Sequence, residues 1–169
     1  MNYHNITKDD LNNGDGIRVV LWVSGCHHHC PECQNPQTHA FNSGIPFDDD
    51  AVMEIYHELK KDYVSGITFS GGDPLAPENR AIILRLVRFV RELFPEKTIW
   101  MYTGYKYDQL LFEGKYLSIQ ILKNIDVLVD GKYDKDKRDI SLKWRGSKNQ
   151  RVLDMKKSLE TGRAVLWCD

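Results

Sequence analysis

The hydrophobic residues of this chain come in short runs that polar and glycine-rich segments separate. The run at residues 17–23 is rich in β-branched and aromatic residues and is too short and too apolar for an exposed helix. Glycines lie on both sides of it, within residues 13–16 and at Gly25, as expected where the backbone turns sharply. This run therefore predicts a buried first strand.

From residue 48 onward the hydrophobic spacing changes to the period of a helix. Three aspartates at residues 48–50 favour a helix start, and residues 64–66 are expected to mark its end. The positions that would share its buried face are Val52, Ile55, Tyr56, Leu59 and Tyr63. A second helix is expected to open at Pro77, because proline suits the first turn of a helix.

Further short apolar runs predict the remaining strands, at residues 67–69, 98–102, 127–129, 151–153 and 164–167. Glycine-containing loops follow three of these runs, at residues 70–74, 103–104 and 130–132. Strands that alternate with helices form parallel sheets, in which the carboxyl ends of the strands share one edge. We therefore expect one site at that edge, built from the loops that follow the strands.

The fold class that this order predicts is α/β, with a curved, mostly parallel sheet built like part of a β/α barrel. The chain has 169 residues, whereas a closed eight-fold barrel takes about 250, so the sheet is expected to be open on one side. This length also predicts a single domain over residues 1–169. The polar segment at residues 132–149 is expected to be a long, mobile loop.

Charge and composition argue against several classes of partner. The formal net charge is -1 with 28% charged residues of both signs, so no general attraction to nucleic acid or to anionic membranes is expected. No apolar stretch reaches the roughly 20 residues of a membrane helix, and the amino terminus lacks the layout of a signal peptide. We therefore expect a cytoplasmic protein.

Three of the four cysteines fall in one loop after the first predicted strand, at Cys26, Cys30 and Cys33. In a reducing compartment this grouping favours metal ligation over disulfides. Three thiolates can hold three irons of a four-iron cluster and leave the fourth iron open for a cofactor or substrate. The alternative is a structural zinc site completed by a histidine from residues 27–29, although no second pair of ligands follows. Cys168 is interpreted as incidental.

Seven short motifs, spread over nearly the whole chain, form the pattern of a known family. They are residues 13–18 (NGDGIR), 23–26 (VSGC), 30–33 (CPEC), 70–75 (SGGDPL), 102–105 (YTGY), 126–132 (DVLVDGK) and 145–151 (RGSKNQR). The pattern resembles the radical S-adenosylmethionine enzymes and, more narrowly, the activating proteins of anaerobic ribonucleoside-triphosphate reductases. Asp15 departs from the usual proline, and Glu32 and Gln34 stand where glycine and tyrosine are common.

The resemblance implies a [4Fe-4S] cluster on the thiolates of Cys26, Cys30 and Cys33, with S-adenosylmethionine on the open iron. Gly71 and Gly72 lack side chains, so their backbone could approach the methionyl group and offer carbonyl acceptors; the alternative is an ordinary turn. The other residues that the resemblance places near the cofactor are Glu32, Gln34, Ser70, Asp73, Asp130 and Lys132. Asp73 could instead cap the next helix, and Asp130 and Lys132 could instead form a surface ion pair.

The same resemblance implies an activating enzyme, an oxidoreductase that cleaves S-adenosylmethionine reductively. The resulting 5′-deoxyadenosyl radical would take a hydrogen atom from a glycine of the large catalytic subunit of the anaerobic reductase, leaving a glycyl radical there. Implied partners are this subunit, an electron donor such as flavodoxin, and a second copy of the chain in a homodimer or in a heterotetramer with the reductase. Two alternatives stay open: a radical S-adenosylmethionine enzyme on a small molecule, as in deazapurine synthesis, or a non-catalytic zinc or iron-sulfur module.

Overall fold

The computed structural model describes residues 1–167, which form a mixed α/β fold around a seven-stranded sheet. The strands are β1 (Asn2–Asp10), β2 (Arg18–Val23), β3 (Ile45–Pro46), β4 (Gly66–Gly71), β5 (Thr98–Tyr102), β6 (Val127–Asp130) and β7 (Arg151–Asp154). They lie in the order β3-β1-β2-β4-β5-β6-β7. Strands β2, β4, β5 and β6 are parallel, whereas β1, β3 and β7 are antiparallel to their neighbours. The sheet is open, because β3 and β7 lie at opposite ends of this order.

The central strands were predictable, but the strand that precedes them was not. The predicted strands at 67–69, 98–102, 127–129 and 151–153 are confirmed as β4 to β7. The run at 17–23 is confirmed as β2, so the prediction that it is the first strand is wrong. β1 comes before it, and only Tyr3 and Ile6 of β1 are buried hydrophobic residues. A strand with so few apolar positions gives little periodic signal, and the antiparallel pairs that it forms were therefore missed.

The helices are α1 (Asp49–Leu59), α2 (Arg80–Leu93), α3 (Tyr107–Glu113), α4 (Tyr116–Leu122) and α5 (Met155–Thr161). α1 begins as predicted, because the Asp48 carboxylate accepts a hydrogen bond from the Ala51 N–H at 3.0 Å. α2 begins at Arg80, three residues after the predicted start at Pro77, since residues 77–79 form turns. The strand predicted at 164–167 is wrong, because the contact of this segment with the sheet is an isolated bridge.

The two faces of the sheet are packed differently. On one face, apolar side chains from the helices cover the sheet and form the main core. The other face carries a smaller cluster around Trp100, which is 1% exposed. Arg18 is fully buried beside it, with its guanidinium 5.4 Å from the Trp100 ring and hydrogen bonds to the carbonyl oxygens of Ile67 and Thr98. Burial lowers the pKa of Arg18 to about 10, which leaves it charged at neutral pH.

Strand direction brings four loops to one edge of the sheet. The parallel strands β2, β4, β5 and β6 all end there, and residues 131–150 then connect β6 to the antiparallel β7. Across residues 1–167, none of the helices combines the length and the apolar character that crossing a lipid bilayer requires.

Candidate cluster and cofactor site

A cavity of about 210 Å³ opens at the carboxyl edge of the four parallel strands. Its walls come from the loops after β2, β4 and β5 and from residues 131–150. Of the site residues predicted from the sequence, those that line it are Cys26, Cys30, Cys33, Gln34, Ser70, Gly71, Gly72, Asp73 and Lys132. Glu32 and Asp130 do not line it. The strand order therefore brings the cysteine loop, the glycine loop and a lysine together at one place.

The three thiols of the cysteine loop are free and partly buried at the cavity wall. Backbone N–H groups point at two of them: His28 donates to Cys26 Sγ and Asn35 donates to Cys33 Sγ, each at 3.4 Å. Burial raises the pKa of the Cys26 and Cys30 thiols. Amide donors of this kind stabilise thiolate sulfur once it carries a metal. The donor set therefore fits iron ligation.

Two of the histidines that could complete a zinc site with the thiols have other partners: His28 Nε2 contacts the Asp73 carboxylate and His29 contacts His39. Tetrahedral zinc holds all its ligands about 2.0–2.3 Å from one point, so zinc ligands lie close together. In the part of the chain that the structure describes, no three Cys, His, Asp or Glu side chains are grouped closely enough to hold one metal ion. Cys168 lies outside the described residues.

Gly71 and Gly72 allow the end of β4 to pack directly on the cysteine loop. Gly71 has a φ of +97°, and a Cβ on it would lie 2.7 Å from the carbonyl oxygen of Val23. A Cβ on Gly72 would lie 2.5 Å from the carbonyl oxygen of Gly25. The N–H groups of Gly72 and Asp73 donate to these two oxygens, each at 2.8 Å. The two loops therefore meet backbone to backbone, which side chains at these positions would prevent.

Gly72→Ala is expected to destabilise the fold by about 2 kcal/mol, because the new methyl group would push the Gly25 backbone away. Gly114→Ala is the control. A Cβ there would have its nearest neighbour at 3.9 Å, so only the strain of a φ of +58°, about 1 kcal/mol, is expected. Denaturant unfolding followed by circular dichroism measures both values. A cost for Gly72→Ala no greater than that for Gly114→Ala would contradict the close packing.

The Asp73 carboxylate lies at the centre of a hydrogen-bond network that joins three loops. It is 1% exposed and accepts hydrogen bonds from the Leu75 N–H at 2.8 Å, the Thr103 hydroxyl at 2.9 Å and the Gly104 N–H at 3.0 Å. His28, which is 9% exposed, donates from Nε2 to the same carboxylate at 2.8 Å. These donors occupy both carboxylate oxygens. We therefore assign Asp73 to holding the loops after β2, β4 and β5 in position.

Asp130 and Lys132 have different surroundings although they are two residues apart. Asp130 is buried and accepts hydrogen bonds from the Tyr107 N–H at 2.7 Å and from Arg151 Nε at 2.9 Å. This pairing follows from the register, because Asp130 lies opposite Arg151 in the β6–β7 pair. Lys132 instead lines the cavity, and its charge acts against the burial that raises the pKa of Cys30. Lys132 is therefore a cation beside the thiols, and Asp130 fixes β7.

Glu32 and Gln34 lie on the rim of the cysteine loop. Glu32 is exposed, forms an ion pair with Lys135 at 3.5 Å and has a φ of 56°. This left-handed conformation favours glycine, which explains the glycine that is common at this position in the pattern that the chain resembles. Gln34 lines the cavity and presents an amide there. At Glu32 the cysteine loop therefore keeps the left-handed conformation that glycine would adopt.

Residues 131–150 connect β6 to β7 and include the loop predicted at residues 132–149, and hydrogen bonds order its inner side. A bridge pairs Arg138 with Ser147. The side chain of Gln150 accepts a hydrogen bond from the Gly146 N–H at 2.9 Å and helps to line the cavity. Contacts within the segment thus order the part of it that forms a wall of the cavity.

Sequence reasoning did not identify several residues of the cavity as members of the site. His28 was considered only as one of three possible zinc ligands, and Thr103 only as part of a loop. Tyr133 and Gln150 also line the cavity. Their position could have indicated them, because they belong to segments that begin at the same edge of the sheet.

Comparisons of the whole chain with known proteins all indicate one family. Residues 12–153 match the family model described as a 4Fe-4S single cluster domain. The anaerobic ribonucleoside-triphosphate reductase-activating protein of Enterobacteria phage T4 is 45% identical over 152 residues, which cover 90% of this chain and 93% of the relative. The protein of the same name from Escherichia coli K12 is 46% identical over 154 residues, covering 90% and 97%. That from Pasteurella multocida is 44% identical over 152 residues, covering 89% and 95%.

Proposed function

Because this chain belongs to the family of anaerobic ribonucleoside-triphosphate reductase-activating proteins and contains a 4Fe-4S single cluster domain, we propose that it is a radical S-adenosylmethionine enzyme. When bound, the reduced [4Fe-4S] cluster would supply the electron that splits S-adenosylmethionine into methionine and a 5′-deoxyadenosyl radical. That radical would take a hydrogen atom from a glycine of the reductase large subunit and become 5′-deoxyadenosine. The residues of this chain hold the cluster and S-adenosylmethionine next to each other.

One observation carries this proposal: three thiols, the glycine loop and the cation of Lys132 line the same cavity. The cavity lies at the carboxyl edge of the parallel strands, and a loop of a second protein would enter it there. Three thiolates leave one iron of a four-iron cluster without a protein ligand, and S-adenosylmethionine needs that vacancy. In a structural zinc site, by contrast, protein ligands fill all four coordination positions.

The residues predicted for the site have separate chemical roles in the proposal. The thiolates of Cys26, Cys30 and Cys33 bind three irons, and Lys132 neutralises the carboxylate of S-adenosylmethionine. The remaining contacts are the backbone carbonyl groups of the glycine loop, which suit an ammonium group, and the polar side chains of Ser70 and Gln34. Asp73 and Asp130 act on these residues by holding the loops and β7.

A glycyl radical is the product that tests the proposal. Reduced, reconstituted protein mixed with S-adenosylmethionine and the large subunit is expected to give the doublet signal of a glycyl radical in electron paramagnetic resonance. The matched control is a large subunit in which the target glycine is replaced by alanine. Silence from the unmodified subunit, while S-adenosylmethionine is being cleaved, would contradict a glycine target.

Lys132→Gln is expected to raise the KM for S-adenosylmethionine about tenfold, because a charge-assisted hydrogen bond to the cofactor carboxylate is lost. Lys135→Gln is the matched control, since Lys135 is also exposed but pairs with Glu32 on the rim. The KM of each variant is obtained from cleavage of S-adenosylmethionine by the reduced protein, measured as 5′-deoxyadenosine without the reductase present. An equal KM in the two variants would remove Lys132 from the binding site.

The proposal also includes the setting of the reaction. We place the chain in the cytoplasm as one domain of partial-barrel type, with an electron donor such as flavodoxin and with assembly as a homodimer or as a heterotetramer with the reductase. The electron donor and the assembly rest on the family resemblance, and the cytoplasm rests on the sequence pattern. The continuous sheet from Asn2 to Asp154 supports the single domain.

A further inference from the structure

Residues 132–150, called here the basic segment, concentrate positive charge beside the cavity. They contain seven lysines and arginines and three aspartates, a formal charge of +4 in a chain whose net charge is -1. The rest of the chain therefore carries -5. This separation creates a positive potential at the cavity edge, although the protein as a whole is slightly acidic.

Part of this charge is not neutralised by the residues that the structure describes. Three cations of the basic segment pair with carboxylates, in Lys135–Glu32, Lys137–Asp134 and Lys148–Asp139. Arg138 and Lys143 are both exposed, and neither forms an ion pair with any of residues 1–167. Ile140, between them in the sequence, is 89% exposed. Two unpaired cations and an apolar side chain thus face solvent on one short stretch.

The basic segment is held in place before any partner arrives. Trp144 packs against the buried ring of Trp100, with 5.0 Å between the ring centroids. The bridge between Arg138 and Ser147 joins the two sides of the segment. A surface that is already ordered loses less conformational entropy on binding than a flexible loop does.

We infer that the basic segment is the docking surface for an acidic segment of the protein substrate, and this inference rests on the proposed function. Arg138 and Lys143 pair with carboxylates of the large subunit, and Ile140 contacts an apolar side chain among them. A protein partner suits this mixture better than a nucleic acid does, because the segment also carries three aspartates and the chain is net acidic. Docking here delivers a partner loop to the adjoining cavity.

The test compares two double charge reversals that change the net charge equally. Arg138→Glu/Lys143→Glu alters the basic segment. Lys123→Glu/Lys156→Glu is the control, because Lys123 precedes β6 and Lys156 follows the antiparallel β7, at the opposite edge of the sheet. Association of each purified protein with the large subunit is measured at low and at high salt. Melting temperatures confirm that all variants are folded.

We expect the first variant to associate about tenfold more slowly than the unmodified protein at low salt, with a smaller difference at high salt. The control variant should associate nearly as the unmodified protein does. Cleavage of S-adenosylmethionine without the large subunit should be the same in all three, which separates a docking defect from a failure of the proposed chemistry. Equal association of the two variants with the large subunit would overturn the inference. A loss of self-association alone would also overturn it, because the surface would then bind a second copy of this chain.

Discussion

Cys30→Ala is expected to lose the iron-sulfur cluster and, with it, all reductive cleavage of S-adenosylmethionine. Cys30 is one of three free thiols at the cavity wall. A four-iron cluster that keeps one iron open has no spare protein ligand, so losing one thiolate leaves only two points of attachment. Iron content and visible absorption of the anaerobically reconstituted protein measure the cluster, and 5′-deoxyadenosine measures the cleavage.

The fourth cysteine provides the matched control for this substitution. Cys168→Ala is expected to retain both the cluster and the cleavage activity, because Cys168 is interpreted as incidental to the site. A full four-iron cluster in Cys30→Ala would show that the ligands are wrongly assigned. Equal loss of iron in both variants would show that the cluster needs a thiol outside the cysteine loop.

Asp73→Asn is expected to destabilise the protein by about 2–4 kcal/mol and to lower its melting temperature by about 5–15 °C. The carboxylate accepts hydrogen bonds from three different loops, and an amide group would turn an NH₂ toward donors that need an acceptor. Because both Asp73 and its partner His28 are almost completely buried, water cannot replace the lost acceptor. Thermal and denaturant unfolding of the protein without cluster give the values free of metal binding.

An exposed pair of the same chemistry serves as the control. His27 and Glu78 also form a histidine–carboxylate contact, at 3.0 Å, but each side chain is 51% exposed. Glu78→Gln is therefore expected to change stability by no more than about 0.5 kcal/mol. Similar costs for Asp73→Asn and Glu78→Gln would contradict the role of Asp73 as the joint between the loops.

The parts of the fold that the sequence predicted are those with a continuous apolar signal. Residues 98–102 were predicted with the bounds that β5 has, because a strand buried on both faces reads as an uninterrupted apolar run. β1 was missed because most of its residues are polar and its pairing partner supplies much of the hydrophobic surface. The short helices α3 and α4 were missed because seven residues show barely two turns of helical period.

In the candidate site, too, the local sequence patterns were predictable and the contacts between residues far apart in sequence were not. The spacing of the cysteines and the position of the glycine loop after a strand are local, and they led directly to the cavity. Whether a carboxylate is free for a ligand depends on donors far away in the sequence. Asp73 is hydrogen-bonded to Thr103, and Asp130 to Arg151. That these carboxylates position other segments can therefore be recognised only when the pairing of the strands is known. The sequence pattern next to Asp73 or Asp130 does not carry that information.

The central claim is that three thiolates of this chain hold a four-iron cluster whose remaining iron is open to S-adenosylmethionine. Mössbauer spectroscopy of the protein reconstituted with ⁵⁷Fe, recorded before and after S-adenosylmethionine is added, tests it most directly. The account predicts that one iron of the four changes its isomer shift and quadrupole splitting while the other three stay nearly the same. Four irons that do not respond to S-adenosylmethionine, or a protein that binds no iron, would contradict it.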